Sequence, residues 1–226
     1  LSVRVERPKL SRTLKNVIST LDGQGPNSSE TIVVGAHYDH LGYGGWGSLD
    51  LSGRREIHNG ADDNASGTVV MLEVARQLAS LHQQRPLGRR ICFIAFSAEE
   101  LGLIGSKKYL QAPWFPIEST IAMLNLDMVG RLRNADLTVY GVGTSPVWTP
   151  WLQHLADEYH LKLQLRQGGY GPSDHASFHE RGVPVLHFFT GFHPEYHRPS
   201  DDSGLLNYHG MTTVSHIVTE LAFALS

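Results

Sequence analysis

Seven short runs rich in Val, Ile, Leu and Phe punctuate the chain: SVRVER, NVISTL, TIVVGA, ICFIAF, TIAMLNL, LTVYG and VPVLHFF. Each predicts a β-strand. Several barely alternate between apolar and polar positions, so both of their faces are expected to be covered, as in a sheet held between layers of helices. Between the strands the period changes to that of a helix, over 65–81, 103–112, 146–160, 173–180 and 206–225. In the first helix Thr68, Met71, Leu72, Ala75, Leu78 and Ala79 fall on one stripe, which is expected to face the core. Strand and helix in alternation predict an α/β fold: a three-layer α/β/α domain around a central, mostly parallel twisted sheet. There is neither an internal repeat nor low complexity.

The length of 226 residues is read as a single domain over 1–226, and the absence of a leading Met at Leu1 as the sign of a longer parent chain. Residues 41–60 carry six glycines and no regular pattern, and 166–172 form a second irregular stretch. Loops of that length usually serve as lids or binding loops. Charged residues make up 18% with a net charge of −3 and scattered Lys and Arg, which argues against nucleic acid. No apolar stretch reaches the roughly 18 residues a membrane span needs. The one cysteine, Cys92, lies inside ICFIAF, so an intrachain disulfide is excluded and the thiol reads as a small core residue.

Ligands of open α/β sheets gather beyond the carboxyl ends of the strands, and polar residues collect there. TIVVGA runs into His37, Asp39 and His40, ICFIAFSA into Glu99 and Glu100, TIAMLNL into Asp127, and VPVLHFF leads to His193, Glu195 and His197. GADDNASG puts Asp62 and Asp63 at the start of the first long helix. Each fragment has a plain explanation, since an acid at a helix start satisfies free N–H groups. Asp127 resists it, because a carboxylate directly after MLNL is costly to bury unless something positive compensates it. His and carboxylate ligands without a thiolate suit zinc or another divalent ion. Five or six of them exceed one tetrahedral centre and suit two metals sharing a carboxylate. Ser173-Asp174-His175 has the composition of a hydrolase triad, but consecutive residues cannot aim at one another, and Ser173 reads as a helix cap.

With AHYDH, GADDNASG, SAEELGLIGS, NLDMVGR, SDHASF and EYHRPSD in that order, the chain resembles the co-catalytic zinc aminopeptidases, the family of bacterial secreted leucine aminopeptidases and glutamate carboxypeptidases. The resemblance implies a zinc-exopeptidase-like catalytic domain binding two Zn²⁺ per chain, other divalent ions being compatible with the same ligands. His37 and Asp127 would hold one ion, Glu100 and His197 the other, and Asp62 would bridge them, with a cis peptide expected at Asp62-Asp63. Glu99 matches the family's general base and Asp39 the carboxylate behind His37; Tyr170 stands where a Tyr donates to the developing oxyanion. The implied activity is hydrolysis of the N-terminal bond of a peptide or aminoacyl substrate, in a secreted or periplasmic protein. Aromatic residues Tyr43, Trp46, Phe189 and Phe192 suggest a partly apolar side-chain pocket. Arg54, Arg55 or Arg131 receiving a substrate carboxylate would instead make a carboxypeptidase or dipeptidase. The resemblance also extends to a one-zinc glutaminyl cyclase and to a non-catalytic binding relative.

Overall fold

The computed structural model describes residues 13–226, so the expected strand SVRVER lies outside the described residues. Seven strands form one sheet in the order β1-β3-β2-β4-β7-β5-β6. They are β1 (Val17–Leu21), β2 (Thr31–His37), β3 (Arg90–Phe96), β4 (Thr120–Leu126), β5 (Asp136–Tyr140), β6 (Lys162–Arg166) and β7 (Val185–Phe189). The helices are α1 (Gly67–Gln84), α2 (Ile104–Gln111), α3 (Trp148–Glu158), α4 (His175–His179) and α5 (Tyr208–Leu225).

The continuous apolar reading of β2 is explained by two cores. Ile32, Val34 and Ala36 join Val70, Val74 and Leu78 of α1 and Val214 and Val218 of α5 on one side of the sheet. Val33 faces the other side, with Tyr109 of α2 and Phe178 of α4. Cys92 is fully buried in that second core, and burial pushes its thiol up to about 12. Helices thus cover both faces, as the pattern predicts, and among the described residues no helix is long and apolar enough to cross a membrane.

The sheet is mostly parallel, as expected: β2, β3, β4 and β7 are mutually parallel and β5 pairs in parallel with β6, while β1 and β5 run antiparallel to their neighbours β3 and β7. Two other points differ from the sequence reading. The β6 strand, KLQLR, is absent from the sequence-based expectation; its alternating half-buried leucines belong to an edge strand, and it follows a helix too closely for its short period to stand out. The buried stripe of α1 is Val70, Met71, Val74 and Leu78, which leaves Leu72 60% exposed.

Candidate metal centre

Register brings the first two ligand candidates together. In the parallel pairing of β2 with β4, Gly35 stands opposite Asn125, so two residues further on, with the same side-chain direction, His37 stands beside Asp127. Their side chains meet, His37 Nε2 lying 3.4 Å from Asp127 Oδ1. Glu99 and Glu100 follow β3, the other neighbour of β2, and His197 arrives on the loop after β7. Backbone in the left-handed region marks these turns: Ala98 (φ 57°) precedes the two glutamates, Met128 (φ 52°) follows Asp127, and His197 itself has φ 55°. Non-glycine residues are held there only where the surroundings over-determine them, and such residues cluster at functional sites.

Asp63, not Asp62, supplies the carboxylate at the centre. Its Oδ1 lies 3.3 Å from His37 Nε2 and its Oδ2 lies 3.1 Å from His197 Nε2, which is in turn 3.3 Å from Glu100 Oε2. The Asp62 carboxylate turns back into the fold, where Oδ1 accepts from the Gly130 N–H at 2.7 Å and the Ser66 hydroxyl at 2.9 Å. Neighbouring side chains on this irregular turn point in different directions, so only one of two adjacent acids reaches the centre. The cis peptide bond correspondingly joins Asp63 and Asn64 rather than Asp62 and Asp63. Asn64 completes the turn by donating to the Leu126 carbonyl and accepting from the N–H groups of Gly67 and Met128, tying the start of α1 to the end of β4. Gly67 is required for that approach, since a Cβ there would stand 2.4 Å from the Leu126 oxygen.

The imidazoles are aimed by their other nitrogens. His37 Nδ1 donates to the Asp39 carbonyl at 3.1 Å and His197 Nδ1 donates to the Gly47 carbonyl at 2.7 Å, leaving both Nε2 atoms toward Asp63. The Asp39 carboxylate, expected on His37, is 3.8 Å away and instead accepts from the free N–H groups of Glu99 and Glu100 at 3.1 and 3.4 Å. Ser173 does not cap α4 with its hydroxyl, which accepts from the Asn125 amide at 2.8 Å.

Four acids crowd these two imidazoles. Burial pushes Glu99 up to about 9, opposed by His37 and reinforced by the carboxylates of Asp127, Asp174 and Glu100. Burial disfavours charge on His197, yet Asp63 and Glu100 raise it to about 10; against burial, Asp127 and Asp63 likewise hold His37 well above its ordinary value. Burial also works against the Glu100 carboxylate, but His197 and His40 bring it down to about 2. The carboxylates around the two imidazoles thus favour positive charge at the centre. The ligand atoms of His37, Asp63 and Asp127 lie within 4.8 Å of one another, as do those of His40, Asp63 and Glu100. A donor set of imidazole nitrogen and carboxylate oxygen at that spacing fits zinc.

Residues 16–222 match the model of Peptidase family M28. The chain belongs to that family. Aminopeptidase YwaD of Bacillus subtilis (strain 168) is 31% identical over 225 residues, 94% of this chain and 45% of the relative. Leucine aminopeptidase 1 of Coccidioides posadasii (strain C735) is 31% identical over 237 residues, 99% of this chain and 58% of the relative. Among solved structures, BSAP, a zinc aminopeptidase from Bacillus subtilis, superposes with a TM-score of 0.73 at 31% identity, covering 93% of this chain and 50% of that one. LapA aminopeptidase of Legionella pneumophila gives 0.70 at 30%, covering 93% and 54%. The chain spans about half the length of the curated relatives it matches.

In this M28 chain the centre opens into a cavity of about 220 Å³, lined by Glu99 and by Tyr140, Phe189, Phe192 and Tyr196 among others. Tyr170 stands at its mouth, 65% exposed, its ring edge-on to His179. Trp46 lies in a neighbouring hollow, and Tyr43 is exposed beneath the Arg55 guanidinium. Sequence reasoning missed the roles of two residues besides Asp63. His40 Nδ1 donates to Glu100 Oε1 at 2.7 Å, a role signalled only by its nearness to His37 in AHYDH. Arg131 is buried, bonded to Asp201 at 3.0 Å and 3.5 Å from Glu195, so it is not available to a substrate carboxylate.

Proposed function

We propose that this chain is the catalytic domain of a two-zinc aminopeptidase. The observation that carries the reading is the Asp63 carboxylate, one oxygen turned to His37 and the other to His197, with Asp127 and Glu100 completing two matched sets of ligands. Zinc held there supplies Lewis acidity, which lowers the pKa of water and polarises a carbonyl.

The chain's own residues do the rest. Glu99 lines the cavity but makes no hydrogen bond to the ligand histidines, leaving it to take the proton of the attacking water and return it to the departing amine. Zinc held by His37, Asp63, Asp127, Glu100 and His197 would oppose the neighbouring carboxylates that raise Glu99 and so favour its basic form. Tyr170 donates to the oxygen on which charge develops. The aromatic wall of Phe189, Phe192 and Tyr196 receives an apolar side chain at the substrate's N-terminus. Burial of Arg131 in an ion pair counts against a carboxypeptidase.

Metal content by mass spectrometry, with paired free and N-blocked peptides as substrates, tests the reading. Close to two zinc ions per chain and cleavage only of free N-termini is expected. A single zinc, or cleavage indifferent to blocking, would overturn it.

A further inference from the structure

The segment that carries Asp63 is itself held by one residue. Three consecutive N–H groups end on Asp201: that of Ala61 on its carbonyl at 3.1 Å, and those of Asp62 and Asp63 on its Oδ2 at 2.8 and 3.1 Å. Asp201 is completely buried, and its other carboxylate oxygen accepts from Arg131 Nη2 at 3.0 Å. Arg131, 6% exposed, continues to Glu195 at 3.5 Å; Glu195 lies 3.1 Å from His193 Nδ1, and His193 Nε2 lies 3.2 Å from Asp62 Oδ2. The circuit closes on the segment where it began. One loop, residues 193–201, therefore holds the turn at three points: Asp201 on its backbone N–H groups, and the His193 and His197 side chains against Asp62 and Asp63.

We infer that Asp201, locked by Arg131, is the positioning residue of the shared carboxylate: it fixes where Asp63 stands between the two histidines. The inference rests on the two-zinc reading. A buried carboxylate accepting two adjacent N–H groups holds the peptide plane before Asp63 at a set tilt, and charge-assisted bonds of this kind are about twice as strong as neutral ones. Because Asp63 is shared, a shift in it disturbs both metals alike. A general loosening of the loop would act on His197 and spare the His37 side.

The test is to equilibrate the zinc-loaded protein with graded chelator and count the zinc that remains, for the wild type and for Asp201→Asn. Asn keeps one acceptor oxygen but loses the charge. Both zinc affinities should fall, by about 10- to 100-fold, as for other residues that orient metal ligands. Excess zinc should restore kcat, with KM unchanged. Unchanged affinities, a loss confined to one zinc, or a lower Tm with both affinities intact would each overturn the inference. Should Asp201→Asn fail to fold, Arg131→Lys keeps the charge but not the two-pronged donor, and should weaken both sites several-fold; unaltered affinities there would overturn it too. A wild type that takes up no zinc pair would instead sink the functional reading itself.

Discussion

The two sides of the Asp63 carboxylate rest on different kinds of support. On one side, His37 ends β2 and Asp127 follows β4, adjacent parallel strands at the middle of the sheet whose register sets the two side chains together. On the other, Glu100 and His197 sit on turns and are placed by polar links, Glu100 by His40 and His197 by the Gly47 carbonyl from the glycine-rich loop. Both sides offer the same chemistry, one imidazole and one carboxylate. The sheet side inherits its geometry from the core, however, while the loop side must assemble it from contacts that open more easily.

The largest expected effect belongs to neither side. Glu99→Gln should lower kcat by about 10²- to 10⁴-fold, the usual contribution of a general base, with both metals retained by mass spectrometry. Loss of metal from either side would mean that Glu99 holds the site together. The two adjacent aspartates come next. Asp63→Ala should abolish binding of at least one zinc and weaken the other, while Asp62→Asn should keep both and cost about 1–3 kcal/mol of stability, the usual penalty for disturbing a buried acceptor. The opposite assignment, with metal lost in the Asp62 variant and kept in the Asp63 variant, would restore Asp62 as the bridge. A smaller effect separates the sides themselves. His40→Phe should weaken only the loop-side zinc, by on the order of ten-fold, which stepwise chelation would reveal; equal weakening of both would erase the distinction.

The same contrast explains what the sequence made legible. Strand ends were readable because hydrophobic runs locate them and the α/β rule says where ligands gather, so His37, Glu99, Glu100 and Asp127 could be named together. The stretch after β7 offered His193, Glu195 and His197 alike, and only the family motif singled out His197, since nothing in the spacing says how the loop folds. The choice between Asp62 and Asp63 was not readable from composition, because both are acids at a helix start and only the direction of an irregular turn separates them. Asp39 was legible as a neighbour of His37, but whether its carbonyl or its carboxylate meets the ring depends on how the chain curls after β2. Asp201 and Arg131 act through bonds spanning 70 residues or more, which a local pattern does not carry.

The smallest expected effect concerns what lies under the sheet side. One step down the register from Asp127, Asn125 stands opposite His187, whose ring stacks on His175 at 4.3 Å. Burial pushes both imidazoles down to about 3, and among the described residues neither nitrogen of His175 has a hydrogen-bond partner. Unfolded histidines titrate near 6.5, so between about 3 and 6.5 the unfolded chain binds more protons. The folded state is therefore favoured fully above 6.5 and loses that advantage as pH falls toward 3. Removing one such group should spare the protein about 2 kcal/mol of this loss at pH 5, or about 4–8 °C in Tm for a domain of this size. His175→Leu should accordingly show a smaller drop in Tm between pH 7.5 and pH 5 than the wild type, with the chelation profile of the loop-side zinc unmoved. An undiminished drop would mean that His175 already carries a proton in the folded protein, and that the sheet side has a polar opening beneath it rather than a dry floor.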